Sequence, residues 1–237
     1  MRQLLPGQRQ LDLDDLFDLY DPGENSLLRG GFVVAADGAI AVGGSSRPLQ
    51  TPADQLAYAA LRAVADAVVV GAGTARTEDY GPVRHRAPAA AWRNAHGRVA
   101  APLVLVTRRA DLDPASRAFT GAVPTIVLTC AAARPSPELR RVADVVVAGD
   151  DAVDLPAAVA VLRARGLTRL LCEGGPALLT TLLADGLVDE LCLTLSPLLV
   201  GTAPTLLTAT LAAPVRLELR HLVDGGDGSL LARYGII

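Results

Sequence analysis

Apolar and polar positions follow two periods along this chain, and the changes from one to the other mark out its elements. Ala67-Val68-Val69-Val70, Leu103-Val104-Leu105-Val106, Thr125-Ile126-Val127-Leu128 and Val145-Val146-Val147 are short, uninterrupted and mostly β-branched. All four read as strands, Ala67 to Val70 as one covered on both faces and Leu103 to Val106 as a buried one. Gly31 to Ala36 and Thr168 to Cys172 belong with them. Between these runs the period lengthens to that of a helix. Thr51-Pro52 supplies an N-cap and a first-turn proline, followed by Leu56, Ala60, Leu61 and Val64 as a buried stripe, with Arg62 near the C-terminal end. Further helices are predicted from Ser136 to Val142, from Leu155 to Arg165 with Gly166 as its C-terminal stop, and after Pro176.

The chain closes in a different pattern. Leu187 to Leu195 alternates before turning apolar, and two strand patterns, 215–223 and 229–236, flank Asp224-Gly225-Gly226-Asp227-Gly228, which predicts an antiparallel hairpin. Strands alternating with helices and closed by antiparallel strands predict an α/β fold, a mixed and mostly parallel sheet flanked by helices. Residues 1–25 are acidic and amphipathic, with Leu11, Leu13, Leu16, Phe17 and Tyr20 able to pack as a short helix. They are expected to lie as an arm on a single domain spanning 26–237. Ala39 to Val42 is expected to resume as a strand after the Asp37-Gly38 turn, and residues 80–101, rich in Pro, Arg, Ala and Gly, to form a long surface loop.

Composition narrows the function classes. A chain of 237 residues, 51% hydrophobic, can bury one substantial core or two small ones, and one is favoured. A formal charge of -3 gives no bulk attraction for nucleic acid. No apolar run reaches membrane-spanning length and the N-terminus has no signal-peptide core, so a cytoplasmic protein is expected. There is no lysine, hence no Schiff-base chemistry from one. Cys130, Cys172 and Cys192 are far apart in or beside apolar strands and are expected as buried hydrophobes, and His85, His96 and His221 form no metal-ligand spacing.

The candidate chemistry centres on Cys172-Glu173-Gly174-Gly175-Pro176, where a strand runs through a carboxylate and two glycines into a helix. Adjacent glycines leave the main chain bare at a helix start, a place suited to phosphate. Glu173 would repel that phosphate unless its side chain turned toward a neighbouring substrate pocket; a plain strand-to-helix turn is the alternative. Gly71-Ala72-Gly73-Thr74 is a second glycine-bearing strand exit, but Arg76 stands where a dinucleotide fingerprint needs its third glycine, which disfavours an ordinary Rossmann domain. Thr107-Arg108-Arg109 ends another strand. Beside a dinucleotide these arginines could hold an adenosine 2′-phosphate and select NADP over NAD; otherwise they are solvated surface charge.

Ala36-Asp37-Gly38, Ser46, Thr51-Pro52, Leu61-Arg62-Ala63, Gly71 to Thr74, Glu173 to Pro176 and Leu187 to Leu191 come in an order and rough spacing that resembles the riboflavin-biosynthesis reductase domain. This is the C-terminal half of the bacterial deaminase-reductase, with a dihydrofolate-reductase-like fold; the chain is most similar to stand-alone actinobacterial members. The resemblance runs from Arg29 to the end. It implies a homodimeric, NADPH-dependent reductase that delivers hydride to the ribosylamino C1 of a pyrimidine 5′-phosphate, as in 5-amino-6-(5-phosphoribosylamino)uracil reductase. It also implies site residues. Gly71, Gly73, Thr74, Thr107, Arg108 and the main chain of Gly174, Gly175, Pro176, Ala177 and Leu178 would hold NADPH, with Val33, Pro48 and Glu78 on the cofactor side. Ser46, Arg62, Arg84 and Glu173 would face a small-molecule substrate, and Asp37, if not simply part of its turn, and Glu173 would act nearest the reacting carbon. The chain departs from the riboflavin-pathway pattern at Gly31 and Ala35, and no HxE followed by PCxxC occurs in it. A dihydrofolate-type activity on a pterin and a non-catalytic NADPH-binding protein are the alternatives.

Overall fold

The computed structural model describes residues 1–237. Two short strands, β1 (Arg2–Leu5) and β2 (Arg9–Gln10), precede helix α1 (Leu13–Tyr20). Then come β3 (Leu27–Ala35), α2 (Pro52–Val64), β4 (Ala67–Gly71), α3 (Ala72–Thr77), α4 (Ala89–Ala95), β5 (Leu103–Val106), β6 (Thr125–Thr129), α5 (Pro137–Val142) and β7 (Ala143–Val147). The chain ends with α6 (Leu155–Ala164), β8 (Arg169–Gly174), α7 (Pro176–Ala184), β9 (Glu190–Ser196), β10 (Leu217–Asp224) and β11 (Leu230–Ile236). All eleven strands join one sheet in the order β2-β1-β10-β11-β9-β3-β8-β4-β5-β6-β7. From β9 to β7 neighbouring strands are parallel, and from β9 outward through β11, β10, β1 and β2 they are antiparallel.

The uninterrupted apolar runs of β4 and β5 are explained by two-sided burial, whereas the edge strand β7 leaves Val147 exposed. In β4, Val68 and Val70 enter a cluster with α1, α2 and α4, whereas Ala67 and Val69 enter a second cluster with α6 and α7. Strand β5 divides the same way, Leu103 and Leu105 against Val104. A polar residue at any of these positions would lose its water without gaining a partner. All three cysteines are free and buried. No helix is long and apolar enough to cross a membrane.

Four local expectations differ from what forms. Residues 1–20 do more than lie on the domain: β1 pairs with β10, and Leu16, Phe17 and Tyr20 of α1 sit in the larger core cluster. Ala39 to Val42 makes only two isolated bridges, Ala39 to Thr205 and Val42 to Ser45. Residues 80–101 are not a bare loop, because α4 buries Trp92 beside Phe17 and turns Arg93 inward. Arg93 donates to the carbonyls of Ala63 and Ala65, each at 2.7 Å, beside the C-terminal end of α2, where helix carbonyls lack partners of their own. Leu56 is exposed, since the buried face of α2 is turned by one residue onto Ala53, Ala57, Ala60, Leu61 and Val64.

The strand order brings the site together. With β8 lying between β3 and β4, Val70 pairs with Gly174 and Gly71 with Val106. The two glycine-bearing exits therefore meet at the carboxyl ends of adjacent parallel strands, where ligands of open α/β sheets bind.

Candidate active site

The junction of the two exits is built for close main-chain approach. A Cβ at Gly71 would sit in contact with the Gly175 nitrogen at 3.4 Å, and a Cβ at Gly175 would run into the Thr74 hydroxyl. Gly174 takes φ 139°, a value that penalises any side chain. Gly175 is the N-cap of α7 and no side chain caps that helix, so the N–H groups of its first turn keep their capacity for an anion.

Two cavities open on either side of this junction. The larger, about 670 Å³, is lined by Gly71, Gly73, Thr107, Ala177, Leu178 and Thr181, together with Arg76, Arg108, Arg109 and one acid, Asp111. Arg76 donates to the Asp111 carbonyl at 3.1 Å, and none of the three arginines is paired with a carboxylate. Bare main chain, an uncapped helix start and unneutralised guanidinium groups together fit a phosphate-bearing dinucleotide.

The second cavity, about 400 Å³, shares Gly73 with the first and has a different character. Val33, Ser46, Thr74, Glu78, Glu173, Gly174, Gly175 and Pro176 line it, so it collects much of the set expected from the sequence. Its far wall comes from residues the sequence reading missed: Asp54 and Tyr58 on α2, and Tyr80 after α3. Asp54, Tyr58 and Arg62 recur every fourth residue and so share one face of α2. That polar stripe was the available signal.

Glu173 does turn away from the phosphate-fitting side, but it is no free acid. Its side chain is fully buried, with Arg62 Nε donating to Oε1 at 2.6 Å and Arg62 Nη2 to Oε2 at 2.7 Å. Tyr58 also donates to Oε2 through a short hydrogen bond, and Tyr80 does so at 3.1 Å. The two phenols lie 2.9 Å apart. Burial first, and then the Glu173 charge, raise both phenols above the usual tyrosine range. They therefore stay neutral, and the Tyr58 oxygen also accepts from Arg62 Nη2 at 3.3 Å. Desolvation opposes the Arg62 charge, yet Glu173 outweighs it and raises that guanidinium further.

Other sequence-stated candidates are placed elsewhere. Asp37, expected nearest the reacting carbon, lines neither cavity; Oδ2 accepts the N–H groups of Val200 and Gly201, both at 2.7 Å. Those bonds, the one from Gly201 first, hold its carboxyl below the usual range. Asp37 thereby fastens the segment that carries Pro204 to the cavity rim. Arg62 is spent on Glu173 and lines, with exposed Arg84, a third cavity of about 250 Å³ beyond Tyr58. Pro48 is exposed in a short helical turn outside both main cavities. Glu78 is occupied in holding the preceding loop, accepting from the Ser46 N–H at 2.7 Å and the Ser45 hydroxyl at 3.1 Å. No group of metal-ligating side chains gathers in the structure.

Comparison with known proteins shows which family the chain is similar to. The family model described as RibD C-terminal domain matches residues 29–231. The chain is 33% identical over 209 residues to the 2,5-diamino-6-ribosylamino-4(3H)-pyrimidinone 5′-phosphate reductase of Methanothermobacter thermautotrophicus, covering 84% of this chain and 93% of the relative. The enzyme of the same name from Aquifex aeolicus is 32% identical over 185 residues, 73% of this chain and 78% of that one. Among solved structures, a pyrimidine reductase-like protein from Corynebacterium diphtheriae superposes with a TM-score of 0.78 at 29% identity, covering 90% of this chain and 92% of its own. With the match spanning β3 to β11 and both glycine exits inside it, the chain belongs to the RibD C-terminal domain family.

Proposed function

We propose that this protein is an NADPH-dependent reductase of a 6-ribosylaminopyrimidine 5′-phosphate, the class of compound for which its curated relatives are named. The observation that carries the reading is the pairing of two unlike cavities across one glycine junction, one fitted to phosphates and the other to a hydrogen-bonding ring and sugar. NADPH supplies the hydride when bound, and the protein supplies position and electrostatics. Main chain from Gly174 to Leu178 would hold the pyrophosphate, and Arg108 with Arg76 and Arg109 the 2′-phosphate.

The second cavity then receives the pyrimidine and its opened sugar. Tyr58 and Tyr80, held by Glu173, offer phenol oxygens as acceptors for sugar hydroxyls. Arg62 is fixed by the same carboxylate, and Arg84 beside it, in the cavity beyond Tyr58, suits the 5′-phosphate. Glu173 in this reading is an anchor and not a proton donor. The protein is further proposed to act in the cytoplasm as a homodimer, which sedimentation equilibrium would test.

The activity test follows NADPH absorbance with the ribosylaminopyrimidinone phosphate and, separately, with dihydrofolate. Turnover of the first alone is expected. Turnover of dihydrofolate alone would transfer the site to pterin chemistry, and binding of NADPH without turnover of either would make the protein a non-catalytic binder.

A further inference from the structure

The substrate-side cavity contains one carboxylate that no cation neutralises. Asp54 stands in the first turn of α2, is only 5% exposed, and lines both the second cavity and a small pocket beneath it formed with Gly31, Phe32, Cys192 and Thr194. Glu173, at the same cavity, is matched by Arg62; Asp54 has no arginine or histidine within ion-pair distance. The charged group that acts on it is another acid, Asp227. That carboxylate is itself occupied, with Oδ2 accepting the Ala53 N–H at 2.9 Å and Oδ1 accepting the Ser229 N–H at 3.1 Å and the Ser229 hydroxyl at 2.5 Å. Burial pushes the Asp54 carboxyl up and Asp227 adds to this, while the Thr194 hydroxyl works the other way.

A carboxylate removed from water and left without a cation is costly until donors reach it. From the protein the Thr194 hydroxyl acts on it, while Gly31 carries no side chain and Phe32 and Val33 bring only hydrocarbon to the wall. No cation completes its shell, which leaves a place for donors carried by a ligand. A 2-amino-4(3H)-pyrimidinone presents two of them side by side, the ring N3–H and the exocyclic 2-amino N–H, spaced to meet the two oxygens of one carboxylate. A pyrimidine-2,4-dione has the same N3–H but a carbonyl oxygen at position 2, which would face the carboxylate acceptor to acceptor.

We infer that Asp54 is the residue that reads the pyrimidine, accepting from N3–H and the 2-amino group and thereby selecting the 2-amino-4-oxo ring over its 2,4-dioxo counterpart. This deepens the reductase reading and rests on it. Asp54 acts in binding and specificity, with no bond made or broken at its own atoms.

The inference has a direct inversion test, because an asparagine offers one acceptor and one donor, the complement of N3–H beside a carbonyl. Wild type is expected to bind the 2-amino ribitylamino product about 10- to 100-fold more tightly than the 2-oxo product, the range for hydrogen bonds to a charged group. Asp54→Asn should abolish or reverse that ratio, and Asp54→Ala should weaken both. Thermal melts of each variant report whether it is folded. An unchanged ratio in Asp54→Asn would overturn the assignment. Titrating the free bases 2-amino-4(3H)-pyrimidinone and uracil by ligand-observed NMR separates this result from the reductase reading, since no hydride acceptor is involved. A preference for the 2-amino base that vanishes in Asp54→Asn supports the inference even in a protein that turns nothing over. Equal binding of both bases by wild type overturns it even in an active reductase.

Discussion

The two cavities that meet at Gly73 are lined by opposite chemistry. One presents bare main chain and three arginines without carboxylate partners, and the other presents two buried carboxylates, two phenols and the apolar side chains of Phe32, Val33 and Ile40. In the first, the protein leaves positive charge unmatched, so a ligand must bring the anions. In the second, Glu173 is matched within the protein and Asp54 is not, so the ligand must bring donors. A phosphate in the second cavity would face both acids, and a neutral base in the first would leave the arginines unsatisfied. The division of labour follows from charge, and substitutions on each side should disturb one function and spare the other.

The largest effect is expected at Glu173. Glu173→Gln leaves Arg62 facing a buried amide, and breaking one member of a buried pair costs about 3–5 kcal/mol. For a domain of this size that corresponds to a fall of ~10 °C in Tm by calorimetry. An unchanged Tm would show that the pair does not anchor the wall. Next is the junction. Gly175→Ala drives a Cβ into the Thr74 hydroxyl, and overpacking of about 1–3 kcal/mol should weaken NADPH binding by about 10- to 100-fold. Adding Thr74→Ala should recover part of the loss, and titrating both variants measures the coupling.

How much of this was legible in the sequence differs between the cavities for a physical reason. The phosphate-fitting side is made of contiguous pieces, Gly71 to Gly73, Thr107-Arg108 and Ala177-Leu178, and it adjoins the Gly174-Gly175 junction, whose glycines and strand ends announce themselves locally. The other side is assembled by packing: Tyr58 and Tyr80 come from different elements and meet only because both reach Glu173 across the β8 strand end. The contacts of Asp37 could not be read locally because its partners, Val200 and Gly201, lie far along the chain, and no local pattern relates them. Helix α4 was hidden by its Pro, Arg and Ala content, since the signal for its burial is Arg93 satisfying carbonyls of a different helix end. Sheet strands covered on both faces were the easiest elements to find, because their position allows nothing but apolar side chains.

Smaller effects sharpen the contrast. Arg108→Ala should reduce the preference for NADPH over NADH by about tenfold, the low end for a charged hydrogen bond, without changing the KM of the pyrimidine. Equal loss for both cofactors would return Arg108 to the role of solvated charge. The smallest change is expected at Asp37. Asp37→Asn should leave kcat nearly unaltered and lower Tm slightly, since the carboxylate holds a rim segment and not a reacting atom. Its folded carboxyl is more acidic than the unfolded one, so its contribution is complete above the ordinary carboxylate pKa and is lost as the pH falls through the lower folded value. The Tm difference between wild type and Asp37→Asn should therefore close in acid; a large loss of kcat at neutral pH would restore Asp37 to the chemistry.

A crystal soaked with NADPH tests the division of labour most directly. The pyrophosphate should lie against the main chain of Gly174 to Leu178, with the 2′-phosphate among Arg76, Arg108 and Arg109. The nicotinamide should reach past Gly73 into the cavity walled by Asp54, Tyr58 and Tyr80. Phosphate density against Asp54 and Glu173, or a dinucleotide bound away from the Gly71 and Gly175 junction, would contradict the account.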